Sequence, residues 1–379
     1  MDSVSLLGGE KKIKVLHILP AANVGGMSSV VFTLYSNMDR ETFKFDIALT
    51  TQFFGIDGEK LSALGCNFYF IPAKSKDYRG YKKGLKEILK KGDYDAIHIH
   101  ENETSFVALR IAKKLGVRCR IAHSHSSSPG KTLQERIKRV LGHILNYKYA
   151  THIIACGELA GARVFGKNNM KKAKATVLLN PVDKEKFAFN QETRETMRES
   201  LYLKNEFVIG MVARLSPEKN QSFAIEVFEK LFSAHKNVRL VLVGNGPDEE
   251  QLKGDVKTRG LESVVSFLGA RSDVNQLYNA FDVSILTSKY EGYPIVGIES
   301  LFNGLPLVLM DTITNELVKY ENTIYCSYNV SKWVEALELI MNQSGSRGSK
   351  SISQQLIDDF DVQNAVKRLC DYYLSDSRK

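Results

Sequence analysis

Short apolar runs with strand character alternate with helical stretches along nearly the whole chain. That alternation calls for parallel sheets with helices packed on both faces. In the first half the strand runs are 13–19, 45–50, 67–71, 96–100, 120–123, 152–155 and 175–179. In the second they are 208–212, 240–243, 264–267, 283–286, 307–309 and 323–325, with helices starting near Lys219, Pro247, Ser272, Tyr293 and Val330. Residues 181–205 are polar and charged with no strand signal, and read as a linker region. The expected organisation is therefore a doubly wound domain over 1–180, a linker over 181–205 and a second such domain over 206–361. An amphipathic, strandless tail over 362–379 follows. At 379 residues a single domain would be unusually large. Ligands of such sheets bind at the carboxyl ends of the strands, so two facing domains would hold one in the cleft between them.

Composition excludes several classes. Hydrophobic residues at 43% and charged residues at 25% are those of a water-soluble globular protein. No apolar run approaches the ~18 residues that span a bilayer. The N-terminal MDSVSLLGGEKK resembles neither a secretory signal nor a transit peptide, which predicts a protein of the cytoplasm or of the inner face of the cell membrane. Five cysteines without a CxxC pair fit reduced thiols better than disulfides or zinc.

The net charge of +9 conceals an asymmetry, because residues 1–180 carry 29 Lys+Arg against 15 Asp+Glu and the remainder 23 against 28. Two basic amphipathic stretches lie in the first half, 74–91 and 131–149. Either pattern suits a helix packed on a sheet with a solvated lysine face. With the asymmetry, it also suits contact with anionic lipid or a lipid-linked phosphate acceptor. Aromatics interleaved with basic residues in a nucleic-acid module are missing, so no nucleic-acid partner is expected.

The segment SKYEGYPIVGIES, 288–300, follows the apolar run 282–286 and brackets a helix start with two carboxylates. Pro294 suits a first helical turn. Glu291 then lies in the loop and Glu299 in the helix, roughly 8 Å further along its axis at about 1.5 Å per residue. The free amides and positive dipole end of that turn suit a phosphate, which leaves the two glutamates for hydroxyls at either end of a nucleotide sugar. The run ARLSPEKN, 213–220, delivers Arg214 to a strand end and Lys219 to a helix start. Two fixed cations there could neutralise a departing diphosphate and replace the divalent metal of other phosphate chemistries.

In the first half, Gly25 and Gly26 follow the first strand and open a helix, as a tight turn or a phosphate site. No GxGxxG is present, which disfavours an NAD-dependent dehydrogenase. AHSHSSSP places His123 and His125 on one side of an extended chain. They could ligate a metal, but no third ligand of the usual type lies nearby in sequence, and no metal site is expected. His123 reads as a hydrogen-bonding group and His125 as its support. The DxD of Asp93, Tyr94 and Asp95 precedes its strand instead of following it, so it reads as a turn.

Taken in order, Gly25–Gly26, ARLSPEKN, VLVGNGP, VSFLGARSDV and YEGYPIVGIES resemble the retaining glycosyltransferases of family 4, which have the GT-B fold. The resemblance covers nearly the whole chain. The opening 25–47 and the DTITNE of 311–316 look like the bacterial branch that builds capsule and exopolysaccharide. The resemblance implies transfer from a nucleotide sugar, a UDP-sugar by branch, to a glycan or lipid-linked acceptor, without cofactor or metal. It implies that Arg214 and Lys219 hold the diphosphate, assisted by amides of Gly26 and of the stretch from Gly292 through Tyr293, Pro294, Ile295 and Val296. Glu299 would take the ribose, Glu291 a sugar hydroxyl, His123 the sugar ring, and the backbone at Leu268 and Gly269 the base. Gly246 of GNGP belongs to the same donor site, and the last helix would return to the first domain. Tyr293 departs from the family's usual Leu or Phe, a change in the shape of the sugar pocket. With no carboxylate nucleophile evident, the leaving phosphate itself would draw the acceptor's proton. The alternatives are a GT-B nucleotide-sugar epimerase and a non-catalytic nucleotide-sugar binding protein.

Overall fold

The computed structural model describes residues 11–22, 27–52, 54–125, 133–291, 293–313, 317, 319–343 and 352–377. It divides the chain into two compact units, Met1–Pro181 with Val362–Lys379, and Val182–Asp361. The first contains a seven-stranded sheet of β1 (Ile13–Leu19), β2 (Phe43–Leu49), β3 (Asn67–Phe70), β4 (Ala96–Ile99), β5 (Cys119–Ser124), β6 (His152–Ala155) and β7 (Ala175–Val177). Its order is β3-β2-β1-β4-β5-β6-β7, parallel throughout. The second unit contains β8 (Phe207–Val212), β9 (Val238–Val243), β10 (Val265–Phe267), β11 (Val283–Leu286), β12 (Leu307–Met310) and β13 (Thr323–Cys326). These six are also parallel, in the order β10-β9-β8-β11-β12-β13. Every strand expected from the sequence forms, because a parallel strand covered on both faces must be apolar along its length, as the fully buried β4 and β11 are.

Strand order reverses between β1 and β4 in one sheet and between β8 and β11 in the other. At such a reversal the flanking loops diverge to opposite faces and leave a crevice at the carboxyl edge. The turn reading of Asp93–Asp95 fits its place ahead of β4. Asp93 adopts a left-handed φ of 49° after the helix Tyr78–Gly92, and Asp95 accepts from the Lys14 amide at 2.9 Å.

The polar stretch 181–205 contains two helices, Lys184–Phe187 and Gln191–Ser200, and belongs to the second unit. Its arginines carry the docking. Arg194 bonds one oxygen of Asp282 at 2.6 Å, Arg198 meets the other at 3.3 Å, and the Val208 amide donates to that second oxygen at 2.8 Å. Charge that reads as solvated in the sequence is here directed inward. Truncating Asp282 to Ala leaves two largely buried guanidinium charges on backbone carbonyls alone, so the second unit should lose about 3 kcal/mol in chemical denaturation. A loss near zero would show that the helix is held by apolar contacts instead.

The helix Val362–Ser377 packs on the first unit. Tyr372 meets Thr176 Oγ1 at 2.7 Å and lies over the His152 ring, with centroids 4.3 Å apart, while the Tyr373 hydroxyl meets His98 Nδ1 at 2.7 Å. All five cysteines are free thiols. Among the described residues no helix is long and apolar enough to cross a membrane.

Candidate donor site and the histidine files

In the second unit the chain beyond β8, β9 and β10 continues as three adjacent extended segments. Ala213 donates to Val243 O at 2.9 Å, Leu215 to Asn245 O at 2.9 Å, and Gly244 to Gly269 O at 2.8 Å. A Cβ at Gly246 would lie 2.0 Å from Leu215 O, so only glycine lets GNGP pass this close to ARLS. Leu268 donates to Leu242 O at 2.9 Å, and Gly269 turns the chain at φ +64°. This close packing fixes the position of the Arg214 backbone. The Arg214 side chain is exposed, with no ion pair among the described residues.

The loops after β8 and β11 are stitched together at the switch point. Thr287 Oγ1 lies 3.0 Å from both Lys219 O and Asn220 O, and the Lys289 amide donates to Glu218 O at 2.9 Å. Lys219 Nζ pairs with Glu291 Oε1, which also accepts from Ser288 Oγ at 2.8 Å. Residues 72 positions apart thus form one polar group, both side chains largely but not fully buried. Ser288 escaped the sequence reading, although it stands three residues before Glu291.

The helix expected near Tyr293 begins two residues later, Ile295–Phe302, with Pro294 as its extended N-cap at φ −79° and ψ 92°. The first helical bond near this end runs from Gly297 to Pro294 O, which leaves the Ile295 and Val296 amides without an intrahelical acceptor. Tyr293 is buried, its ring 5.7 Å from Phe360. Glu299 accepts from the Tyr278 hydroxyl at 3.1 Å, and burial pushes its carboxyl up to about 7. Gly25, Gly26 and Gly292 lie outside the described residues, as does the end of DTITNE.

The first unit joins what the sequence kept apart. His17 on β1, His98 and His100 at the end of β4, and His123 and His125 at the end of β5 stack edge to edge along the sheet. His98 Nε2 lies 3.1 Å from His123 Nδ1, His100 Nε2 lies 3.1 Å from His17 Nδ1, and His100 Nδ1 lies 2.8 Å from His125 Nε2. Third imidazoles are therefore present in space, in the groups His17–His98–His100 and His100–His123–His125, with ligand atoms within 4.8 Å of one another. Burial holds every ring neutral. It depresses His17 to about 3 and His125 to about 4, and drives His98, His100 and His123 well below the ordinary histidine value. The twin HxH pairs at the ends of β4 and β5 are the signal that would have revealed this cluster.

The helix Leu133–Tyr149 faces the opposite way from a simple sheet-packing helix. Gly142 and Asn146 are buried, with Asn146 Nδ2 bonding Asn102 O at 3.2 Å, while Ile137, Val140, Leu141 and Ile144 are 45–60% exposed. These four sit at i, i+3, i+4 and i+7 on one face, and Arg136 and Lys138 are exposed beside them.

Residues 24–186 match the model of Glycosyltransferase Family 4, and residues 193–354 match that of Glycosyl transferases group 1. EpsF of Bacillus subtilis (strain 168), a glycosyltransferase by name, is 29% identical over 336 residues, 86% of each chain. The UDP-Gal:alpha-D-GlcNAc-diphosphoundecaprenol alpha-1,3-galactosyltransferase of Escherichia coli is 25% identical over 378 residues, 96% of this chain and 97% of that protein. Among solved structures, Anabaena Alr3699/HepE in complex with UDP and glucose superposes with a TM-score of 0.79 at 21% identity, covering 96% of this chain and 100% of that one. Two parallel-sheet units and two adjoining family models lead to one assignment: the chain belongs to glycosyltransferase family 4 and has the GT-B fold.

Proposed function

We propose that this glycosyltransferase moves a sugar from a UDP-sugar to a glycan or lipid-linked acceptor in capsule or exopolysaccharide synthesis, with retention and without a metal ion. The observation that carries the reading is the Lys219–Glu291 pair at the β8/β11 switch point, on the same loops as exposed Arg214 and just ahead of the Ile295 and Val296 amides. Arg214 supplies paired planar donors to the diphosphate and Lys219 a compact charge, together replacing a divalent cation. Glu291, held by Lys219 and Ser288, accepts from a sugar hydroxyl. Glu299 accepts from the ribose, and the backbone at Leu268–Gly269 lines the base. His123 is assigned to the sugar ring by the family resemblance.

In the reaction the bond from the anomeric carbon to the phosphate oxygen breaks as the acceptor oxygen bonds to the same face. The acceptor's proton passes to the leaving phosphate oxygen, whose developing charge Arg214 and Lys219 stabilise. UDP-linked donors are favoured by the relatives' printed substrates and ligands, UDP-Gal for the Escherichia coli enzyme and UDP for HepE. A thermal-shift screen of UDP-, GDP- and ADP-sugars tests the donor, since bound ligand stabilises by about 2.7 kcal/mol at a hundred times Kd. A rise of several degrees with UDP-sugars alone is expected, and a GDP- or ADP-sugar response would reject the base assignment. Turnover in EDTA should equal turnover without it.

The exposed aliphatic face of Leu133–Tyr149 and its basic neighbours fit an anionic bilayer, the setting of a lipid-linked acceptor. Vesicles of phosphatidylglycerol and phosphatidylcholine should co-sediment the protein several-fold better than phosphatidylcholine alone. Val140→Asp with Ile144→Asp should remove that difference, and retention of it would discard the face.

A further inference from the structure

The buried imidazoles form two separate hydrogen-bonded files, Tyr373–His98–His123 and His17–His100–His125. A metal must lie in the plane of each ring that binds it. Among His17, His98 and His100 the ring planes differ by 13–29°, and among His100, His123 and His125 by 26–36°. In both groups the paired nitrogens face neighbours in their own file and not a shared point.

Within a file of neutral rings each imidazole has one proton, so the direction of one hydrogen bond sets all the others. Tyr373 begins this file, fully buried, and that burial keeps its phenol protonated. Its oxygen is 2.7 Å from His98 Nδ1, well inside the range of an O–H donor and at the short limit for N–H···O. A phenol is also the stronger acid of the two, so the hydroxyl donates. His98 then has its proton on Nε2 and donates to His123 Nδ1. His123 is left with its proton on Nε2, a buried atom with no partner among the described residues, in a side chain 1% exposed. An unmatched buried donor is costly, and a ligand oxygen would restore its hydrogen bond.

We propose that Tyr373, on the helix Val362–Ser377, acts through His98 as a positioning residue that fixes His123 in the Nε2–H tautomer. His123 is thereby a hydrogen-bond donor and not a base. Resting on the assignment of His123 to the sugar, this makes His123 a donor to a sugar oxygen and leaves the acceptor's proton to the leaving phosphate.

The full chain, labelled with 15N at histidine, is measured by long-range 1H–15N correlation near pH 7.5, with His123 assigned from His123→Gln. His98 and His123 are each expected as a single Nε2–H tautomer. Tyr373→Phe should abolish that single state in both, while His125, in the other file, keeps its own. An Nδ1–H tautomer of His123 in the unmodified protein overturns the proposal, and so does an unchanged His123 in Tyr373→Phe. If that variant fails to fold, the unmodified spectrum still decides the tautomer, and Tyr372→Phe controls for packing of the helix. The sugar assignment fails separately. His123→Gln, which retains an N–H donor, should turn over at least about tenfold faster than His123→Leu, and equal rates would remove His123 from the sugar while leaving the tautomer result intact.

Discussion

Replacing Lys219 by alanine is expected to lower turnover by about 10²–10³-fold while weakening UDP affinity by about tenfold at most. The asymmetry follows from where charge develops. In the proposed donor complex Arg214 and the amides that open Ile295–Phe302 would share the diphosphate charge, so losing one ammonium should cost ground-state binding little. As the bond to the anomeric carbon breaks, charge concentrates on the leaving oxygen, and a fixed ammonium stabilises that state by a few kcal/mol more than the ground state. Glu291 keeps the Ser288 hydroxyl as a partner in the variant, so the loop should stay folded. Lys219→Arg should restore part of the rate, because charge returns but the planar guanidinium does not reproduce a point cation. Single-turnover rates set beside calorimetric affinities separate the two effects, and equal losses in both would reassign Lys219 to simple binding.

Affinity for UDP should fall by nearly tenfold for each pH unit below 7 and stay level above it. Glu299 is the cause, since burial raises its carboxyl to about 7 in the free protein. When both ribose hydroxyls donate to its two oxygens the ionised form is favoured, so binding releases a proton wherever Glu299 is protonated beforehand. The same shift has the opposite sense for stability. A carboxyl near 7 when folded and near its ordinary 4.5 when unfolded makes a contribution that is complete below about 4.5 and lost as pH rises through 7. Glu299→Gln removes the ionisation. Free of ligand, it should be more stable than the unmodified protein at pH 8 by a few kcal/mol, yet bind UDP weakly and without pH dependence across this range. Calorimetry in two buffers of different ionisation enthalpy measures the released proton, and a flat affinity profile in the unmodified protein would exclude Glu299 from the ribose.

The strands were legible because a doubly covered parallel sheet requires apolar runs, and no other common element of 3–7 residues produces them. Lys219 and Glu291 were legible as parts of two separate motifs, and their meeting was not. Nothing in the spacing of 72 positions says that β8 and β11 are neighbours, since strand order is decided by how helices cover the sheet. The histidine files were hidden for the same reason: His17 and His100 are 83 positions apart, and β1 beside β4 makes them adjacent. At 181–205 composition pointed to a linker, because the sequence does not show that Arg194 and Arg198 would find Asp282, 88 and 84 positions further on. The outward face of Leu133–Tyr149 was ambiguous because periodicity identifies an apolar stripe but not its direction, and Gly142 decided it by packing against Glu103 O.

The first unit is interrupted: residues 182–361 fold between its main body and its final helix. The two ends of that insertion are tied, the Val182 amide donating to Phe360 O at 3.2 Å. Once the insertion has folded, Pro181 and Val362 are held close together, and Val362–Ser377 reaches β1 and β5 by closing a loop of a few residues. While the insertion is unfolded, the same closure spans some six further doublings of chain length, a handicap of roughly 4 kcal/mol at about 0.6 kcal/mol each. The second unit therefore acts as a clasp for the folding of the first. Damage to it, such as Asp282→Ala, should slow the docking of Tyr373 beneath His98, although no residue of the first unit has changed.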